Sequence, residues 1–145
     1  MKQNRFGQAS VLSPQHLDNL IDALPAGPHR VLATILRYTA ARVSEARLLT
    51  WAAISDTHIL FTAATTKTKT SREVPMAPQL LDVLKRWKAE TNPRPTDFIV
   101  PGGVVGRPMS RQAFDKQLRA TCEQLGLSGV STHSFRRSCL TAAND

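Results

Sequence analysis

From Ser13 onward the apolar positions recur every three or four residues. Leu17, Leu20, Ile21 and Leu24 form the first stripe, the pattern of a helix that buries one face. Ser13 supplies an N-cap and Pro14 the first helical position, where a missing N–H costs nothing. Pro25-Ala26-Gly27-Pro28 ends that helix. The same spacing predicts a second helix from about His29 to Ala40, with Val31, Leu32, Ile35 and Leu36 inside, and a third from Val43 to Leu49. The pattern then changes. The run HILFTAATTKTKTSREVPM, residues 58–76, is rich in β-branched residues and predicts two or three short strands. Pro78 opens another helix with Leu80, Leu81, Leu84 and Trp87 inward. TNPRPTD and PGGVVGRP read as loops around a short apolar piece at 98–100. Ser110 caps a helix striped by Phe114, Leu118, Cys122 and Leu125, which Gly126 stops. A last helix begins near Thr132. Helices, a small sheet, then helices again predict a mainly helical α+β domain rather than an alternating α/β one.

Composition refines this picture in two respects. At 145 residues and 41% hydrophobic, the chain suits one domain with a real core. It has no apolar run of membrane-spanning length and no signal-peptide pattern near Met1. Cys122 and Cys139 fall on apolar stripes and read as small buried hydrophobes, not as a disulfide or metal pair. Nineteen Lys and Arg against eleven Asp and Glu give a net charge of +8, which points to a polyanionic partner or to a solvated basic surface.

Four positions carry candidate chemistry. In TAARVSEARLLTW, Arg42 stands at a helix junction in apolar surroundings and needs an anionic partner. Glu45, three residues on, is one candidate, as a structural ion pair. In TTKTKTSREVPM, Lys67 and Lys69 are two apart, so an extended strand points both to one side; solvated lysines at a hairpin tip fit the same pattern. His133 and Arg136, at i and i+3, share one helix face, while Phe135, Cys139 and Ala142 form the opposite, buried stripe. Taken together, two arginines, a lysine and a histidine suit phosphoryl transfer. Arginines fork onto non-bridging oxygens, where fixed positive donors stabilise the transition state most. Histidine donates or shuttles a proton, and lysine protonates a leaving alkoxide. The sequence shows no carboxylate cluster or Cys/His ligand set and no Walker-type loop, so neither a metal nor a cofactor is expected.

On these residues the chain resembles the catalytic domain of the tyrosine recombinase (phage integrase) family. TAARVSEARLLTW resembles the family's first-arginine box, T-G-x-R-x-S-E-x-x-x-L-x-W. KTKTSREVPM resembles its lysine hairpin, and HSFRRS its H-x-L-R box. All three occur in the family's order, and the match runs from about Ser13 to the end of the chain. The resemblance implies helices around a small antiparallel sheet, with Arg42, Lys67, His133 and Arg136 as catalytic residues. Lys67 stands eight positions before Pro75 (75 − 67 = 8), where the family places the hairpin lysine, and Lys69 is the fallback. Glu45 would orient Arg42. Lys69, Arg72, Arg111 and Lys116 are candidate contacts to the DNA backbone.

The implied reaction is strand exchange without metal or ATP. A tyrosine attacks the scissile phosphate to give a 3′-phosphotyrosyl link, and a 5′-hydroxyl reverses it. The chain departs from the family pattern at Ala40, where glycine is usual, and at Phe135, where leucine is usual. Its one tyrosine is Tyr38, in the wrong element for a nucleophile. The resemblance thus implies a 1–12 tail followed by a partial catalytic domain at 13–145, without the core-binding domain or the tyrosine-bearing part, and inactive alone. An apolar patch uncovered near the C-terminus would then leave the fragment either marginally stable or paired with another copy. The implied partner is double-stranded DNA, with self-association into a tetrameric synapse, no membrane contact, and a cytoplasmic, nucleoid-associated location. Two further readings are a non-catalytic DNA-binding remnant or regulator and a type IB topoisomerase-like relaxase.

Overall fold

The computed structural model describes residues 12–62, 70–136 and 138. Helix α1 (Pro14–Ala23) starts where Ser13 Oγ accepts the His16 N–H at 3.1 Å. Its C-terminal carbonyls are capped by a residue the sequence pattern does not reveal. Arg30 donates from Nε to the Ile21 carbonyl and from Nη2 to the carbonyls of Asp22 and Leu24. A guanidinium there satisfies orphan carbonyls and sits at the negative end of the helix dipole. Helix α2 (Pro28–Thr39) follows, packed against α1 and against α4 (Pro78–Thr91).

The α2 terminus sets up the first predicted functional segment. Ala40 adopts the left-handed conformation (φ 59°, ψ 22°) and its N–H bonds to the Leu36 carbonyl at 3.2 Å, the single-bond helix stop in which glycine is usual. The Ala41 N–H donates to Thr39 Oγ1, which itself donates to the Ile35 carbonyl. The backbone is therefore fixed on both sides of Ala40 immediately before Arg42.

Helix α3 (Val43–Ala46) is shorter than the predicted 43–49. Leu48 and Leu49 donate to carbonyls three residues back, so the helix tightens and ends. Residues 49–52 then run beside 95–99: the Ile99 N–H donates to the Leu49 carbonyl, Trp51 to Asp97 and Ala52 to Pro95. This long-range pairing uses groups that further helix would have used, and a short 3₁₀ turn (Trp51–Ala53) follows. Strands β1 (His58–Phe61) and β2 (Arg72–Pro75) form a two-stranded antiparallel sheet in which Phe61 faces Arg72 and Ile59 faces Val74. The 63–69 connection, with Lys67 and Lys69, lies outside the described residues.

Helix α5 (Arg111–Leu125) begins at Ser110, whose Oγ accepts the Ala113 N–H at 3.0 Å. It closes on Gly126 (φ 72°), with the Leu127 N–H on the Cys122 carbonyl and the Gly126 N–H on Glu123, a Schellman stop. Leu125, expected on the buried stripe, is 41% exposed, and Leu127 packs against the core in its place. The turn brings the Leu127 backbone back to the Cys122 carbonyl. Burial raises the Cys122 thiol pKa, in keeping with a small apolar core residue.

One core joins these elements. Leu20, Leu32, Ile35, Phe61, Phe114 and Phe135 are fully buried in it. Leu12, assigned to a tail by the sequence pattern, is also buried, and its N–H donates to Ser138 Oγ at 2.7 Å. The start of the described chain is thereby tied to the helix that carries His133. Trp87 donates from Nε1 to the Ile99 carbonyl at 2.7 Å, joining α4 to the buried 98–100 segment.

Candidate phosphate-binding site

His133 and Arg136 lie on the helical segment at 132–136. Ser131 caps it: its Oγ accepts the His133 N–H, and Ser134 Oγ accepts the Ser131 N–H. Together these bonds cap the helix start much as a capping box does, except that Ser131 Oγ takes the N–H two residues on rather than that of Ser134. Ser134, Phe135 and Ser138 are buried, so His133 projects outward, exposed, and Arg136 follows one turn later, half-buried. Of the stripe the sequence predicts here, Phe135 is in the core, while Cys139 and Ala142 lie outside the described residues.

A cleft of about 300 Å³ opens beside this segment. Its walls are Val43 of α3, Arg111, Gln112 and Asp115 of the first turns of α5, and Ser131, Thr132 and His133. Arg42 is the half-buried residue before Val43, so the first-arginine junction and the histidine segment border one space. Arg47 fixes the third wall by donating from Nε to the Met109 carbonyl at 2.8 Å, which holds α3 against the start of α5. Asp115, the one acidic residue of the lining, is ion-paired with Arg119 one turn on.

The most telling atom is Arg136 Nε. It is buried and has no hydrogen-bond partner among the described residues. A charged donor out of water and unpaired is costly, and an anion bound there would satisfy it.

The other predicted residues divide. Glu45 is 2% exposed, and its Oε1 accepts the Arg42 backbone N–H at 3.1 Å. Arg72, a candidate DNA contact, places its fork on Glu45, Nη2 to Oε1 at 3.1 Å and Nη1 to Oε2 at 3.4 Å. Arg111 lines the cleft, and Lys116 lies further along α5 with Arg119 and Glu123. Lys67 and Lys69 lie outside the described residues. Sequence reasoning missed Gln112, on the cleft wall, and the serine cap. The cap was open to a search for Ser at N-cap and at the third helical position. Among the described residues no group of three or more His, Cys, Asp or Glu could hold a metal ion.

The model of the phage integrase family matches residues 10–144, nearly the whole chain. The chain belongs to the phage integrase family. A Sinorhizobium fredii protein named as an integrase/recombinase, y4qK, is 26% identical over 130 residues, which are 88% of this chain and 41% of that protein. In fold, this integrase-family chain is similar to XerA recombinase, with a TM-score of 0.79 at 18% identity, over 99% of this chain and 52% of the other. It is also similar to the Tn1549 transposon integrase bound to circular intermediate DNA (TM-score 0.73, 16% identity, 93% of this chain and 52% of the other). Lambda integrase, in a tetramer bound to a Holliday junction, gives a TM-score of 0.72 at 17% identity, over 97% and 43% of the two chains. The chain therefore spans about half the length of these relatives, or less. The expected architecture, helices around a small antiparallel sheet, is that of tyrosine recombinase catalytic domains. No helix among the described residues is long and apolar enough to cross a membrane.

Proposed function

We propose that this chain is the phosphate-holding part of a tyrosine recombinase catalytic domain, acting on double-stranded DNA. The observation that carries the reading is the buried Arg136 Nε, without a partner among the described residues, one turn from the exposed His133, which lines the cleft with Val43 and Arg111. Arg42 and Arg136 fork onto the non-bridging oxygens of a phosphodiester, where charge grows in the transition state. His133 donates a hydrogen bond to the same phosphate. Lys67 protonates the leaving 5′-oxygen, and Glu45 holds the Arg42 backbone so that its guanidinium faces the phosphate rather than the core. Tyr38, the chain's one tyrosine, lies on α2 and packs against the core. Strand cleavage then needs a tyrosine from outside these residues, and self-association on DNA is how the lambda relative's tetramer would translate to this chain.

Duplex binding followed by fluorescence anisotropy across a salt series tests the reading. The expected result is weak binding that loosens steeply with salt and weakens further in Arg42→Gln and Arg136→Gln. Binding that ignores salt, or is indifferent to both substitutions, defeats it. A second reading, a DNA-binding module without chemistry, is supported by the placement of Tyr38. The full-length protein separates the two: covalent protein–DNA adducts on nicked substrates support the recombinase, and their absence supports the binding module.

A further inference from the structure

We infer that Arg72 is a positioning residue, which locks the root of the lysine-bearing hairpin to the Arg42 junction through Glu45. The inference rests on the phosphate-binding reading only for its purpose; the lock itself is geometric. Arg72 is the first residue of β2, the point where the chain re-enters the sheet after the segment holding Lys67 and Lys69. Three contacts hold it. Its backbone pairs across the sheet with Phe61. Its guanidinium lies 4.6 Å from the centre of the buried Phe61 ring, within cation–π range. Its fork meets both oxygens of Glu45, a residue 27 positions earlier on a different element.

Glu45 makes this more than an ordinary ion pair. Its side chain is 2% exposed while that of Arg72 is 38% exposed, so the carboxylate is the buried partner and the guanidinium stabilises its charge. The same Oε1 that takes Arg72 Nη2 also takes the Arg42 N–H. One oxygen thus serves both phosphate-binding segments. A planar fork holds such a geometry where a single ammonium would swivel. Arg42 and the start of β2 are therefore set relative to one another before DNA arrives, which lowers the ordering cost of binding a phosphate at this junction.

Amide hydrogen exchange on the full chain tests this without DNA, using Arg72→Gln, Arg72→Lys and the double variant Arg72→Gln/Glu45→Gln. In Arg72→Gln, exchange at Arg42 and across β1 and β2 is expected to quicken roughly tenfold, the loss of about one hydrogen bond, while α2 and α5 keep wild-type rates. Arg72→Lys is expected to fall between the two, because it keeps the charge and loses the fork. Unchanged Arg42 exchange overturns the proposal, and so does an equal acceleration in α2 and α5, which would mark a general loss of stability. Should Arg72→Gln fail to fold with the Glu45 carboxylate deprived of its guanidinium, the double variant decides: fast strand amides with protected α2 support the lock, and wild-type strand rates overturn it. Duplex binding supplies a second arm. The lock predicts weaker binding by Arg72→Gln with an unchanged salt slope, whereas a slope smaller by about one makes Arg72 a phosphate contact and overturns it. A wild-type chain that binds no duplex removes the phosphate reading, and the exchange rates then judge the lock alone.

Discussion

Replacing Ala40 by glycine should stabilise this chain. Ala40 ends α2 in the left-handed conformation, φ 59° and ψ 22°, which brings its Cβ close to the neighbouring carbonyl. That conformation costs an L-residue roughly 1–2 kcal/mol. Glycine removes the clash and retains the N–H that bonds to Leu36. Its unfolded chain is freer, which offsets about 0.4–1 kcal/mol of the gain. The net expectation is about 0.5–1 kcal/mol in favour of Ala40→Gly, or a rise of roughly 2–6 °C in Tm. Ala40→Val should act in the opposite sense, losing more than about 1 kcal/mol, because a β-branched side chain is a poorer occupant of that region. Urea unfolding with a constant m-value measures both. A glycine variant less stable than wild type by about 0.5 kcal/mol or more would refute the argument, since the left-handed residue would then not be where strain resides. The site has a stake in the outcome: Ala40 is two residues before Arg42 and sets the direction in which the chain enters α3.

Arg30→Met should cost about 2 kcal/mol, since it removes the guanidinium from the carbonyls of Asp22 and Leu24 and leaves Ile21 with the Leu24 N–H alone; chemical denaturation reads it, and a neutral result would mean that water replaces the cap freely. His29, in the first turn of α2, has its pKa lowered from 6.5 by burial. As pH falls the unfolded chain takes up that proton first, so the His29 contribution is whole above about 6.5 and is lost as pH drops toward the folded value. His29→Gln should flatten that acid limb, and a limb of unchanged slope would assign it to other groups. Arg111→Ala and Lys116→Ala should each reduce the slope of log affinity against log salt by about one if both touch DNA phosphates. A changed affinity with an unchanged slope would place the residue outside the phosphate contacts.

Local signals in this sequence were legible and long-range ones were not. Ser13, Ser110 and Gly126 announce helix ends because a cap is a contact between near neighbours. The spacing of His133 and Arg136 announces a shared helix face for the same reason. By contrast, α3 stops at Ala46 because residues 49–52 pair with 95–99, and no window around Val43 contains that partner. The basic charge was the least transparent feature. Arg30 caps α1, Arg37 pairs with Asp18, Arg47 ties α3 to Met109, and Arg72 neutralises Glu45. Four of the nineteen basic residues thus have structural duties, and counting arginines overstates the surface offered to a polyanion. What the sequence could not reveal is that Arg136 Nε is buried without a partner among the described residues, because that depends on everything packed around it.

That unsatisfied donor gives the most direct test of the central claim. The Nε–H signal of Arg136, assigned through an Arg136→Lys variant, can be followed by ¹⁵N NMR as a short duplex is added. If Arg136 holds a phosphodiester, the Nε–H gains an acceptor: its resonance moves downfield, its exchange with water slows, and both effects fade as salt releases the duplex. A duplex that binds while the Arg136 Nε–H signal keeps its position and exchange rate would contradict the account, placing the phosphate contacts elsewhere on the domain.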